Sequence, residues 1–273
     1  MVEIPELPEV ETIRRGLTKS IVGKKVLDLG TNTPKMIQPS LTVVQKAIVG
    51  EKIEKIERRA KVLQVFLSNG KILIIHLKLT GRLLVRKKGD PPDDWQRVAI
   101  FLSGEKELRF CDLRKFGWIK LITNQELKNL NQGFGPEPLD DLTIAYFEKF
   151  LSSTRRAVKI ALLDQKKISG IGNIYANDAL FLARLDPRRP SNSLTEPEVK
   201  KLFEAIEKVL KAGIRHRGAS DQHYLDAFGR KGSYQDYFLV YGRTGKDCFG
   251  CKGKIKRIKI GGRGTFYCPE CQK

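Results

Sequence analysis

Val10, Ile13, Leu17 and Ile21 recur at intervals of three and four, which places one apolar face on a helix that Gly23 ends. Pro8 suits the first turn, where its missing N–H has no partner to lose. Glu9 and Glu11 put negative charge at the positive end of the helix dipole. After Gly23 the pattern shortens. Residues 24–32 predict a strand, and 33–40, with two prolines, a loop. Apolar runs around Ile53 and Ile56 and over 62–67 predict strands, and Ser68-Asn69-Gly70 predicts a hairpin turn. Residues 72–85 continue as strand, broken at Thr80-Gly81, and 98–102, 108–111 and 118–122 add three more. Many short strands with turns between them imply a sandwich or barrel, with the first helix laid against it. Gly133-Phe134-Gly135-Pro136-Glu137-Pro138 then interrupts the pattern, and helical spacing follows over 142–151, 158–163 and 196–215. The expected class is α+β: a β-sandwich domain with a leading helix over 1–132, a linker at 133–140, a helical domain over 141–237 and a finger over 238–273.

The formal net charge of +20 changes this picture from a fold to a partner. A surface so basic on 273 residues calls for a polyanion, most often nucleic acid. No apolar run reaches membrane-spanning length, and four Glu in the first fifteen residues argue against a secretory signal. A cytoplasmic protein is expected, nucleoid-associated in a prokaryote, with reduced thiols. Cys248, Cys251, Cys268 and Cys271 form two Cys-x-x-Cys pairs separated by sixteen residues, the spacing of one tetrahedral structural zinc ion. Cys111 is left over as a strand residue. From 246 to 273 the finger carries eight basic and two acidic residues, and glycines on both sides of Arg263 let a hairpin tip project it. Gly170 and Gly172 make a turn whose N–H groups can approach a phosphate at the next helix start, with the Asn173 amide beside them.

Longer strings carry a resemblance. Pro5-Glu6-Leu7-Pro8-Glu9-Val10-Glu11, Arg58-Arg59-Ala60-Lys61, Asp112-Leu113-Arg114-Lys115-Phe116-Gly117, Gly172-Asn173-Ile174-Tyr175-Ala176 and the two cysteine pairs resemble the formamidopyrimidine-DNA glycosylase family over most of the chain. The resemblance implies a base-excision DNA glycosylase and abasic-site lyase. It would take oxidised purines such as 8-oxoguanine and formamidopyrimidines from duplex DNA and then cut the strand by β,δ-elimination. It implies that Pro5 is the nucleophile, Glu6 an acid/base, Lys61 an active-site cation, and Arg263 a clamp on phosphates flanking the lesion. It also implies that Leu79, Arg114 and Phe116 fill the gap left by an extruded nucleotide. Arg97, Arg155, Lys159 and Asn173 are placed on the DNA backbone, the middle domain becomes a helix–two-turn–helix unit, and residues 217–237 become a loop over the extruded base. A monomer with one structural Zn2+ is expected.

Two departures bear on this reading. Met1-Val2-Glu3-Ile4 precede Pro5, and an amide nitrogen within a chain is planar and non-nucleophilic. The chemistry therefore expects a mature chain that begins at Pro5; with the leader retained, a lesion-binding protein without catalysis is the alternative. The loop holds Asp221, Gln222, His223 and Tyr224 where relatives usually have small hydroxyl residues. The related endonuclease VIII branch, which favours oxidised pyrimidines, is the other alternative, but it usually has Gly where Leu7 stands.

Overall fold

The computed structural model describes residues 5–220 and 223–273. The chain forms two compact units. The first comprises residues up to Gln132 together with His216–Ser233; the second comprises Gly133–Arg215 and Tyr234–Lys273.

In the first unit, α1 (Leu7–Ile21) leads into β1 (Val26–Thr31), the short β2 (Ile37–Gln38) and α2 (Leu41–Ile48). Then follow β3 (Ile53–Arg59), β4 (Val62–Leu67), β5 (Ile72–His76), β6 (Gly81–Lys87), β7 (Gln96–Leu102), β8 (Lys106–Asp112), β9 (Trp118–Ile122) and α3 (Asn124–Gln132). The strands form a four-stranded sheet in the order β1-β7-β8-β6 and a five-stranded sheet in the order β2-β9-β5-β4-β3. One apolar core joins them: Leu63, Val65 and Ile75 from one sheet, Leu83, Val98 and Phe110 from the other, and Val10, Ile13, Leu17 and Ile21 from α1. The 3.6-residue period of α1 thus matches its buried face.

The run expected as one interrupted strand over 72–85 is two strands in different sheets. Lys78 takes a positive φ of 54°, and the Gly81 N–H closes a tight turn on the Leu77 carbonyl at 3.0 Å. That turn sends the chain from β5 to β6. Two helices carry no clear sequence signal. α2 is rich in β-branched residues and is started by Ser40, whose hydroxyl accepts the Val43 N–H. α3 buries only Leu127.

The segment over 216–233 is irregular in sequence, yet its described residues are fastened along β6 and α1. The Val85 N–H donates to the Ala227 carbonyl at 2.8 Å, and Ser233 closes on the His216 carbonyl at 2.8 Å. The Asp226 carboxylate accepts from the Phe228 and Arg230 N–H groups and from the Arg230 guanidinium.

In the second unit, α4 (Ile144–Ser152), α5 (Val158–Leu162), α6 (Asn173–Leu182) and α7 (Glu196–Arg215) precede the hairpin β10 (Lys256–Ile260) and β11 (Arg263–Tyr267). α6 is buried almost all round. Its Tyr175 stacks on Tyr234 at 4.9 Å and lies against Gly213 of α7. Asp178, fully buried on the same helix, accepts the N–H groups of Leu239, Val240 and Tyr241 at 3.1–3.3 Å, together with the Tyr234 hydroxyl. Burial pushes its carboxyl up to about 6, against the pull of those donors.

Helix propensity favours alanine over glycine by about 1 kcal/mol, but a methyl at Gly213 would sit 2.5 Å from the Tyr175 ring. Gly213→Ala is therefore expected to lower the unfolding free energy by about 1–3 kcal/mol, the usual cost of overpacking, as read from urea denaturation. Glu11 supplies a second test. Burial raises its carboxyl, but hydrogen bonds from Arg14 and Arg15 and the charges of Arg14 and Arg58 outweigh this and hold it at about 2, against an ordinary 4.5. The stability it contributes is complete above pH 4.5 and is lost as pH falls toward 2. In Glu11→Gln the thermal midpoint should be lower at neutral pH and should fall less steeply over that acid interval.

Candidate functional site

In the first unit the site begins at the start of α1. Pro5 is buried, and Glu6, 1% exposed, caps the helix. Glu6 and Glu9 form a capping box: the Glu6 side chain accepts from the backbone of Glu9, and the Glu6 N–H donates to Glu9 Oε2 at 2.9 Å. The other Glu9 oxygen accepts the Ala219 N–H at 2.8 Å, and the Tyr224 hydroxyl donates to the Glu9 carbonyl. One carboxylate thus joins the backbone of Glu6 to the loop over 216–233. Gly218 makes that approach possible: its φ is +82°, and a side chain there would collide with Glu9 and Tyr224.

Lys61 lies in the turn between β3 and β4, after Ala60 at φ 53°. Arg58 secures this turn from below. Its guanidinium donates to the Ala60 carbonyl at 2.9 Å and pairs with Glu11 of α1 at 3.4 Å. The neighbouring His76 is held neutral. Burial first, then the charges of Lys78 and Lys61, lower it to about 3, and its Nδ1 accepts the Lys78 N–H.

Leu79, Arg114 and Phe116 occupy two adjacent tips, and a buried carboxylate holds the tips together. Asp112 Oδ1 accepts the Thr80 hydroxyl and the Arg114 N–H, and its Oδ2 accepts the Gly117 N–H at 2.7 Å. Arg114 and Phe116 are exposed, with the guanidinium 4.7 Å from the ring centroid. Leu79 is half-buried. Arg97 donates from Nε to the Asp112 carbonyl at 3.0 Å, which sets it behind the same tip. Phe116 thus stands half-exposed at the end of the sandwich, braced by the Arg114 cation.

In the second unit, Asn173 opens α6 after the Gly172 cap and is 8% exposed. Gln165 fixes the preceding turn: its amide donates to the Ile171 carbonyl and accepts the Gly170 N–H. Arg155 is exposed. Lys159 overturns its expected role. It is 0% exposed, and its ammonium donates to Asn177 Oδ1, the Gly264 carbonyl and the Thr265 hydroxyl, so it cannot reach a DNA phosphate. It anchors the hairpin instead, with Asn177 Oδ1 also accepting the Phe266 N–H. Arg263 is exposed at the start of β11, beyond Gly261 and Gly262, both at positive φ.

The four finger sulfurs lie within 4.8 Å of one another, with Cys248–Cys271 at 3.7 Å and Cys251–Cys268 at 3.5 Å. Zn–S bonds of about 2.3 Å in a tetrahedron separate sulfurs by roughly 3.8 Å, so the cage fits zinc. The Gly250 and Gly253 N–H groups point at Cys248 and Cys251 Sγ, the partners that thiolate ligands need. The finger therefore holds one structural zinc ion.

Sequence reasoning missed Asp112, Thr80, Glu9 and Asn177. Asp112 alone had a local signal, since an Asp often accepts N–H groups a few residues downstream in a turn. Asp221 and Gln222, like Met1 to Ile4, lie outside the described residues.

Three family models match the chain: the formamidopyrimidine-DNA glycosylase N-terminal domain over 4–119, its H2TH domain over 134–224, and the zinc finger found in FPG and IleRS over 245–273. A formamidopyrimidine-DNA glycosylase of Herpetosiphon aurantiacus is 43% identical, covering 98% of this chain and 100% of that protein. That of Pelotomaculum thermopropionicum is 41% identical over 99% of each. Among solved structures, Lactococcus lactis Fpg in complex with DNA containing an abasic site is 34% identical with a TM-score of 0.92, covering 98% of this chain and 99% of that one. MutM in complex with DNA containing carbocyclic 8-oxo-G gives the same identity and TM-score, over 98% and 100%. With the capped Pro5-Glu6 start, the turn before α6 and the four-cysteine finger all in place, the chain belongs to the formamidopyrimidine-DNA glycosylase family.

Proposed function

We propose that this base-excision DNA glycosylase removes oxidised purines, 8-oxoguanine and formamidopyrimidines, from duplex DNA and then cleaves the strand as an abasic-site lyase. The carrying observation is Glu6, a buried carboxylate that caps α1 and directly follows Pro5. The cationic surface and the finger hold the phosphates, with Arg155, Asn173 and Arg263 as the named contacts of the second unit. Arg97 and Lys61 act on the same backbone from the first unit. Leu79, Arg114 and Phe116 fill the space of the extruded nucleotide. The basic charge agrees with action on DNA, and we place the enzyme in the cytoplasm or nucleoid as a monomer.

In this reading the Pro5 ring nitrogen, as the secondary amine of a mature terminus, attacks C1′. The bond from C1′ to the base breaks, and the base leaves with the proton that the Pro5 nitrogen sheds, a departure Glu6 can assist; the C1′–O4′ bond then opens as Glu6 supplies a proton to the ring oxygen. The adduct is an iminium, so it is cationic without further protonation and draws electrons from the neighbouring C–H. Loss of the C2′ proton expels the 3′ phosphate, and a second elimination expels the 5′ phosphate. Pro is suited to this work because a secondary amine yields the charged iminium outright.

A chain starting at Pro5 should form a covalent adduct with abasic DNA under borohydride, and a chain that retains residues 1–4 should form none. An equal yield from both would remove Pro5 as the nucleophile. On lesions, strand cutting at 8-oxoguanine should exceed that at thymine glycol. The reverse order would favour the pyrimidine-directed reading.

A further inference from the structure

Trp95 stands immediately before β7 with φ +58°, a left-handed backbone that bulky side chains rarely adopt. The residues before it are clamped. Asp93 accepts from Arg86 and Arg109, while Arg109 also donates to the carbonyls of Asp90 and Pro91. The backbone of Trp95 serves one functional loop: its carbonyl accepts the Asp112 N–H at 2.9 Å, directly behind the carboxylate that sets Arg114 and the tip of Leu79. Its side chain serves another. The indole meets the His223 ring edge-on, at 5.7 Å and 89°, and the Arg82 guanidinium lies 5.1 Å from the indole centroid. Arg82 in turn donates from Nε to the His223 carbonyl. The indole and the Arg82 guanidinium thus both hold the loop at His223, the residue just before Tyr224, whose hydroxyl reaches Glu9.

We propose that Trp95 is a positioning residue that couples the tips entering the duplex to the loop over 216–233, and that through His223 it sets recognition of the damaged base. The proposal rests on the reading of this protein as a glycosylase for oxidised purines. The tie to the tips runs through a main-chain carbonyl and survives loss of the indole. The tie to His223 runs through the indole and does not. Removing the ring should therefore damage the step that needs a covered base and spare the step that has no base to cover.

The test compares Trp95→Ala, Trp95→Phe and Arg82→Gln with wild type on two duplexes, one with 8-oxoguanine and one with an abasic site. Displacement of a group that sets substrate geometry typically costs up to two orders of magnitude, so Trp95→Ala should lose roughly 10- to 100-fold in kcat/KM on the lesion. Its abasic-site cleavage should stay within about twofold of wild type, since a surface packing change has little effect on unrelated steps. Trp95→Phe, which keeps a ring for His223, should recover most of the lesion activity, and Arg82→Gln should show the same selective loss to a smaller degree. Equal losses on both duplexes, or an unchanged lesion rate, would overturn the coupling. Should Trp95→Ala fail to fold, the Phe and Gln variants carry the same comparison. The wild-type arm separately reports the reading beneath: a wild type that cleaves the abasic site but leaves 8-oxoguanine in place overturns the substrate assignment, and with it the claim that Trp95 serves that base.

Discussion

A carboxylate taken out of water has to find donors for both oxygens, because the cost of leaving it bare exceeds what most packing contacts return. In this protein the donors are the backbones of the loops that matter. Asp112 gathers the Thr80 hydroxyl and the N–H groups of Arg114 and Gly117, and so fixes two tips with no regular structure of their own. Glu9 gathers the N–H groups of Glu6 and Ala219, residues 213 positions apart, across the start of α1. Asp178 does the same for the chain entering the finger. Loops are ordinarily the softest parts of a fold. Here each is stiffened at one point by a buried charge that has nowhere else to turn.

The same use of acids shapes the surface. Acids drawn inward to hold loops do less to neutralise the exterior, and the chain as a whole carries a formal charge of +20, which favours a polyanion. Long-range attraction of that kind brings a duplex close without choosing a base. Choice needs placed groups, and the exposed Arg114 and Phe116, which we propose for that task, sit on the tip that Asp112 holds. Lys159 shows the converse economy. It is a cation kept from solvent, satisfied by a carbonyl, a hydroxyl and an amide, and it seats the hairpin whose second strand begins at Arg263. An Ala in its place would leave Asn177 and the hairpin carbonyl facing an empty pocket, which is a structural loss rather than a lost phosphate contact.

What could be read from the sequence was what local spacing encodes. The apolar stripe of α1 and the strand-rich first half are periodic features, and the four-cysteine cage is set by two short pairs. The strand switch at 77–81 left only a trace, because it depends on Lys78 adopting a positive φ that lysine does not advertise. α3 was silent because one buried Leu127 makes no period. Lys159 was misplaced for a related reason. A Lys in a basic chain looks solvated until partners 105 and 106 residues away come to it, and no window along the sequence contains them. The family resemblance supplied roles for Pro5, Glu6 and Asn173, but not the reasons they stay in position.

Those reasons converge on α1. Helices usually begin at the surface, where water satisfies their first N–H groups. This one begins buried, with Glu6 and Glu9 closing the cap on each other and Glu9 spending its last oxygen on Ala219. The geometry of the Pro5-Glu6 pair and the position of the loop over 216–233 are therefore not independent variables. Displacement of Ala219 would break one of the bonds that hold the Glu9 carboxylate beside the Glu6 N–H. A loop tied at Ala219 to the carboxylate that also receives the Glu6 N–H is held in register with the start of α1, which a loosely tethered lid is not.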